Sequence, residues 1–257
     1  MSRIVIAVIQ ARMGSTRLPG KVLMPLGGST VLEFMLRRVL KAETLDGVVV
    51  AAPEGASDDT VAETVTRIHT FRDALSPGVH ATRGSESDVL GRFYDAALFA
   101  DADIIVRLTA DCPLSDPEVI DAVVGDYLRG GADYVSNAHP QRTMLQGFDV
   151  EVFSREALAR AHFSCRDDAR REHVTQHMYL LCDGHDRYRC RAFDPTQAPR
   201  PFVAAPCKHC DGTAIVNLSV DTADDLARVR KVVDALGPDC NYANVVGYAS
   251  EKGWLSP

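Results

Sequence analysis

Nothing in this chain suggests a membrane span. Its apolar runs fall far short of the roughly twenty residues that cross a bilayer. An excess of positive charge is missing as well: 28 Lys and Arg stand against 35 Asp and Glu, a formal net charge of −7. That balance argues against non-specific binding to nucleic acid or to anionic lipid. The cysteines number seven, an odd count that does not resemble the paired framework of a small secreted scaffold. The first apolar run, residues 4–9, is too short and too poorly flanked for a signal peptide. No internal repeat or low-complexity segment is evident. The expectation is a cytoplasmic protein with neither nucleic-acid nor membrane partners.

What is present is alternation of strand and helix signals along a chain long enough, at 257 residues, to bury one sizeable core. Residues 4–9, 48–52, 79–81 and 103–109 read as strands. An amphipathic or capped helix follows each: Leu32 to Leu40, Asp58 to Ile68, Leu90 to Leu98, and a helix opened by Asp116-Pro117. Ser87 is read as the cap of the third. This is parallel-sheet logic. After Asn137 the rhythm changes. Residues 147–153 read as a half-exposed strand, 166–182 as one helix, 188–193 as a strand and 196–212 as an irregular loop. Residues 215–220 read as a last strand, before helices at 223–236 and around 242–251. The reading is a single-domain α/β protein: a three-layer α/β/α arrangement on a mostly parallel sheet. It has a nucleotide-binding core at 1–136, an inserted acceptor-binding lobe and loop at 137–212, and a return strand with C-terminal helices at 213–257.

The most informative stretch is Gln10-Ala11-Arg12-Met13-Gly14-Ser15-Thr16-Arg17-Leu18-Pro19-Gly20-Lys21. It leaves a strand that is apolar on both faces and carries two glycines, two hydroxyls and three cations. Open α/β sheets bind ligands at the carboxyl ends of their strands, and free N–H groups with cationic side chains cradle phosphates. The alternative is a solvated basic turn. The spelling is neither the Walker P-loop nor Gly-x-Gly-x-x-Gly.

The run from Ala11 to Lys21 resembles the signature loop of the cytidylyltransferases that make CMP-activated sugars, which include the CMP-acylneuraminate and CMP-3-deoxy-manno-octulosonate synthetases. The spore-coat polysaccharide branch is the nearest likeness. The resemblance implies the nucleotide-diphosphosugar transferase (Rossmann-like) fold and CTP as nucleotide. It puts the triphosphate on Arg12, Ser15, Arg17 and Lys21. Arg83-Gly84-Ser85 with Asp88 to Arg92 resembles the segment that touches base and ribose, the alternative being a capped helix start with an Asp88–Arg92 pair. The expected nucleotide-binding set is Ala11, Arg12, Gly14, Ser15, Thr16, Arg17, Lys21, Ala52, Arg83, Gly84, Asp88 and Thr109. Arg12, Lys21 and Asp111 are the expected catalytic residues.

Nucleotidyl transfer also calls for a divalent ion, and Mg²⁺ takes carboxylate, phosphate and water oxygens. Asp111 follows a strand in Asp-Cys-Pro, and Asp221 ends the last expected strand. The resemblance makes both metal ligands, although Asp221 also reads as a plain helix cap. For the acceptor, Asp149, Glu151, Glu172 and His173 lie in elements characteristic of the spore-coat branch, with Asp149 or His173 available to take a proton. Arg142, Arg166, Arg170 and Arg171 are cations for an acidic acceptor or simply solvated. Cys207-Lys208-His209-Cys210 invites a structural Zn²⁺, with Cys182, His185 and Cys190 as distant partners, or is a loop of reduced thiols. The implied reaction is Mg²⁺-dependent transfer of CMP from CTP to a sugar acid or related surface-polysaccharide precursor, releasing pyrophosphate. The acceptor is a small anionic or hydroxylated molecule. Homodimers occur in such families, but no stripe here identifies an interface. Three alternatives stay open: another NTP-sugar nucleotidyltransferase, a non-catalytic nucleotide sensor, and a glycosyltransferase. Asp101-Ala102-Asp103 has the last one's spelling but precedes its strand.

Overall fold

The computed structural model describes residues 3–70, 78–182, 188–198 and 216–255. Strand β1 (Val5–Gln10) occupies the middle of a seven-stranded sheet, as its unbroken apolar run requires. A 3-10 turn (Lys21–Leu23) and a small antiparallel hairpin, β2 (Pro25–Leu26) with β3 (Ser29–Thr30), lead into α1 (Val31–Val39). Thr30 and Glu33 close a capping box at the start of α1. Then come β4 (Gly47–Pro53), α2 (Asp59–Thr70), β5 (Gly78–Gly84), α3 (Val89–Phe99), β6 (Ile104–Thr109) and α4 (Pro117–Leu128). Asp116 caps α4 as expected. For α3 the cap is Asp88, whose side chain accepts from the Gly91 N–H, and not Ser87.

The remaining sheet strands are β7 (Tyr134–Ser136), β8 (Glu151–Ser154) and β9 (Cys190–Ala192). Between β8 and β9 lie α5 (Arg155–Ser164), α6 (Asp168–Glu172) and α7 (Gln176–Tyr179); α8 (Ala223–Leu236) and α9 (Tyr242–Glu251) finish the chain. Strand order is β5-β4-β1-β6-β8-β7-β9. The first four strands run parallel, β8 is antiparallel to both β6 and β7, and β7 pairs parallel with β9. The expected mostly parallel sheet is therefore present, and segments from the expected lobe (β8 and β9) are built into it.

Alternate residues of β1 enter two separate cores. Val5, Ala7 and Ile9 pack with α1, α4, α8 and α9, whereas Ile6 and Val8 pack with α3 and α5. That division makes the three layers.

Three expectations are corrected. Residues 151–153 are fully buried and not half-exposed, because β8 lies between β6 and β7 and beneath α5. The stretch 166–182 is broken into α6 and α7 at Val174, which holds a left-handed φ of 55°. Residues 216–220 form no sheet ladder; the Leu218 N–H donates to Gln146 O (3.1 Å) and the Val220 N–H to Asp111 O (2.7 Å). In addition, Cys182 and Cys190 are joined as a disulfide, which the sequence reading did not anticipate. Cys207, His209, Cys210 and His185 lie outside the described residues.

Candidate active site

After β1 the chain crosses to β4 and β5 on one side, then to β6 on the other. The crevice between the carboxyl ends of β1 and β6 is thus the switch point of the sheet. A cavity of about 320 Å³ opens there. It is lined by Ala11, Arg12, Ser15, Thr16, Arg17 and Lys21 from the loop after β1, by Thr109 and Asp111 at the end of β6, and by Glu172, His173 and Asp221. With Val89 and Arg92, residues from five separate parts of the sequence meet in one cavity.

Local structure explains how the loop holds its shape. The buried Asp58 side chain accepts from the Met13 N–H at 2.7 Å. The Gly20 N–H donates to Met13 O at 3.0 Å, and Gly20 adopts a left-handed φ of 70°, a conformation glycine takes without steric cost. This turn aims Lys21 inward. Its Nζ lies 2.9 Å from Asp111 Oδ2 and 3.0 Å from Asp221 Oδ1. Arg17 reaches the same Asp221 oxygen at 3.0 Å. The Val220–Asp111 backbone hydrogen bond is what brings two aspartates 110 positions apart together. Asp221 is not a helix cap: Thr222 caps α8, in a box with Asp225.

The electrostatics follow. Burial by itself lowers the affinity of Lys21 for its proton, but Asp111 and Asp221 outweigh it and the ammonium is held above its ordinary 10.5. Burial likewise disfavours the Asp111 carboxylate, yet Lys21 overcomes this and keeps it below 3.8. The two carboxylates, aimed at one cation, are the donor set expected for a hard divalent ion. Among the described residues no group of three or more His, Cys, Asp or Glu forms a metal cluster. Two carboxylates suit an ion such as Mg²⁺, which commonly takes its other ligands from phosphate and water.

Other predicted residues stand elsewhere. Ala52 is a buried core residue of β4. Arg83 spends its guanidinium on Pro53 O, Gly55 O and Asp59 at 2.7–2.8 Å, tying down the β4–α2 connection. Gly84 packs on the Arg92 side chain, and Gly14 lies beside Glu86. Asp88 pairs with Arg171 at 2.7 Å and not with Arg92. Asp149 is gripped by both terminal nitrogens of Arg142, at 2.5 and 2.8 Å. Glu151 is buried against Arg107 and accepts from the Tyr134 hydroxyl at 2.7 Å. Glu172 and His173 do face the cavity, and Glu172 stands 3.6 Å from Arg12.

Two polar residues of the cavity, Gln10 and Arg92, lie in the segments singled out from sequence but outside the expected nucleotide-binding set. Arg107 donates to Gln10 Oε1 at 3.1 Å. A guanidinium only donates, so the Gln10 amide oxygen is fixed toward Arg107. Arg92 is buried and donates to Glu86 O and Ser85 O. Asp101 and Asp103 flank the opposite end of β6, where Asp103 accepts from the Ile4 N–H at 2.9 Å, far from the carboxyl-end crevice.

Comparison with known proteins gives the family. Residues 6–179 match the family model described as cytidylyltransferase. The chain is 30% identical to the spore coat polysaccharide biosynthesis protein SpsF of Bacillus subtilis over 252 residues, covering 94% of this chain and 92% of that one. It is 39% identical to an uncharacterized protein of Methanocaldococcus jannaschii over 175 residues, 68% of this chain and 67% of that one. A solved cytidylyltransferase from Leptospira borgpetersenii superimposes with a TM-score of 0.82 at 30% identity, over 99% of this chain and 97% of that one. Fold and site thus define the class as an α/β nucleotidyltransferase. Within it, the chain belongs to the cytidylyltransferase family.

Proposed function

We propose that this enzyme transfers CMP from CTP, with Mg²⁺, to a sugar acid or related surface-polysaccharide precursor and releases pyrophosphate. The observation that carries the reading is the convergence of Lys21, Asp111 and Asp221 with the Arg12–Arg17 loop in one cavity at the switch point. The likeness to a spore coat polysaccharide biosynthesis protein supports the class of acceptor. The 137–212 region, which supplies Glu172 and His173, is its proposed binding lobe.

In this reading Arg12, Arg17 and Lys21, with N–H and hydroxyl groups from Ala11 to Thr16, hold the triphosphate and offset the charge that develops on it. Asp111 and Asp221 would hold Mg²⁺, which would neutralise phosphate charge and draw electrons from the α-phosphorus. Thr109 supports Asp111 from the strand end. The acceptor oxygen forms the new bond to the α-phosphorus as the bond to the β-phosphate bridging oxygen breaks. If that oxygen is a hydroxyl, His173 takes its proton. Gln10 and Arg92 complete the nucleotide side of the wall.

The test is pyrophosphate release with each of the four NTPs, Mg²⁺ and a panel of sugar acids. The expected result is release with CTP only, dependent on one acceptor class. Asp111→Asn and Lys21→Ala are each expected to lower kcat/KM by about a hundredfold or more while leaving the fold intact. Near-normal turnover in Asp111→Asn, or turnover with a nucleotide-sugar donor and no pyrophosphate, would overturn the reading.

A further inference from the structure

Lys21 occupies the position that a divalent ion held by Asp111 and Asp221 requires. Its Nζ lies 2.9 and 3.0 Å from one oxygen of each carboxylate. A magnesium ion bonds such oxygens at about 2.0–2.1 Å, so a bridging ion and the ammonium compete for the same oxygens. Binding through the outer oxygens instead leaves a divalent ion and an ammonium only a few ångströms apart, with strong repulsion in a partly buried site.

Lys21 cannot move aside without cost. Its side chain is only 11% exposed, and an unpaired ammonium in such surroundings is heavily penalised. Charge balance points the same way. Lys21 and Arg17 together match Asp111 and Asp221 one for one. A bare divalent ion therefore enters a neutral cluster and makes it positive, next to the Arg12–Glu172 pair and the buried Arg92. A nucleotide bearing its own ion brings net negative charge and a new partner for Lys21.

From this we infer that Lys21 is a built-in placeholder for the divalent ion, so that the bare ion binds weakly and gains access to Asp111 and Asp221 only when a triphosphate draws Lys21 away. The inference rests on the CTP-and-metal reading above and deepens it: Lys21 links the two ligands, in addition to holding phosphate. It gives Lys21 opposite effects on two ligands, since removing its charge weakens triphosphate binding and strengthens binding of the bare ion.

The experiment titrates Mn²⁺ alone into the full-length protein, following free Mn²⁺ by electron paramagnetic resonance, for the wild type, Lys21→Met, Lys21→Gln and Lys21→Met/Asp111→Asn. Circular dichroism checks the fold of each, and pyrophosphate release from CTP is measured on the same wild-type preparation. Lys21→Met and Lys21→Gln are expected to bind Mn²⁺ about tenfold more tightly than the wild type, an order-of-magnitude expectation for losing one adjacent positive charge. The double variant is expected to lose that gain. Equal or weaker Mn²⁺ binding in whichever Lys21 variant is folded overturns the inference, while CTP-dependent pyrophosphate release leaves the functional reading standing. A gain that survives Asp111→Asn places the ion elsewhere and overturns both the inference and the metal assignment.

Discussion

Glu151 illustrates how one residue can carry the marks of a binding group and serve another purpose. The resemblance to the spore-coat branch implies that Glu151, two positions after Asp149, is an acceptor-pocket carboxylate. In the structure it is 4% exposed, paired with Arg107 and bonded by the Tyr134 hydroxyl. Burial alone would raise its carboxyl, but Arg107 outweighs that and holds it below 4.5. Removing one partner of a buried pair leaves the other charge uncompensated, which costs about 3–5 kcal/mol. Glu151→Gln is therefore expected to lower stability by roughly 3 kcal/mol in urea unfolding. A variant of unchanged stability with a raised KM for the acceptor would return Glu151 to the binding site. The same scale explains what was hard to read from sequence. Arg92 follows Asp88 at helical spacing, which leaves a solvated pair as the alternative to the base-and-ribose segment that the resemblance implies. Asp88, though, turns its carboxylate to Gly91 N and Arg171, which leaves Arg92 to the backbone of Ser85 and Glu86. Only the fold brings Arg171, 83 residues away, to Asp88.

Two connections position the site at the scale of elements. The first is the segment leading to Asp221, hung between Gln146 and Asp111 by backbone hydrogen bonds. Gly147, at φ 102°, lies against it, and a Cβ there would stand 2.7 Å from the Leu218 carbonyl carbon. Gly147→Ala is expected to cost roughly 2 kcal/mol through strain and displacement. It should also reduce turnover with CTP by moving Asp221, an effect read by comparing Tm and kcat with those of the wild type. Unchanged values of both would contradict this role. The second connection is the Asp88–Arg171 pair, which ties α3 to α6, the helix bearing Glu172. Burial alone would raise the Asp88 carboxyl, but the bonds from Arg171 and Gly91 hold it below its ordinary 3.8. A lowered folded value stabilises above 3.8, and that contribution fades as pH falls through the folded value. Asn also caps helices well, so Asp88→Asn isolates the ion pair. The wild type is expected to exceed Asp88→Asn by about 1 kcal/mol near neutrality, with the gap closing in acid below 3.8 when both are unfolded in urea. A gap independent of pH would contradict the assignment. Strand β1, the capped helices and the basic loop were legible because their signals are local. The break at Val174 and the Cys182–Cys190 disulfide were not, since both depend on how α7 and β9 meet the sheet.

Across the whole molecule, one topological feature organises the rest. The chain leaves β1 in one direction and returns for β6 in the other, and the crevice so made receives the loop cations, Asp111 and, through the last connection, Asp221. The buried Arg38 reinforces that end by donating to the carbonyls of Leu114, Ser115, Pro238 and Cys240, which fastens the turn after Asp111 to the turn before α9. Among the described residues no helix is long and apolar enough to cross a membrane. The repeated strand–helix pattern made the sheet readable, whereas the positions of β7, β8 and β9 within it were not, because antiparallel insertion leaves no local mark beyond a short apolar run. The central claim is spatial, and anomalous diffraction from crystals grown with Mn²⁺ and CTP tests it most directly. The account predicts one Mn²⁺ peak bonded to both Asp111 and Asp221, with the triphosphate on Arg12, Arg17 and Lys21. A peak at Asp101 and Asp103, or a nucleotide seated away from the loop after β1, would contradict it.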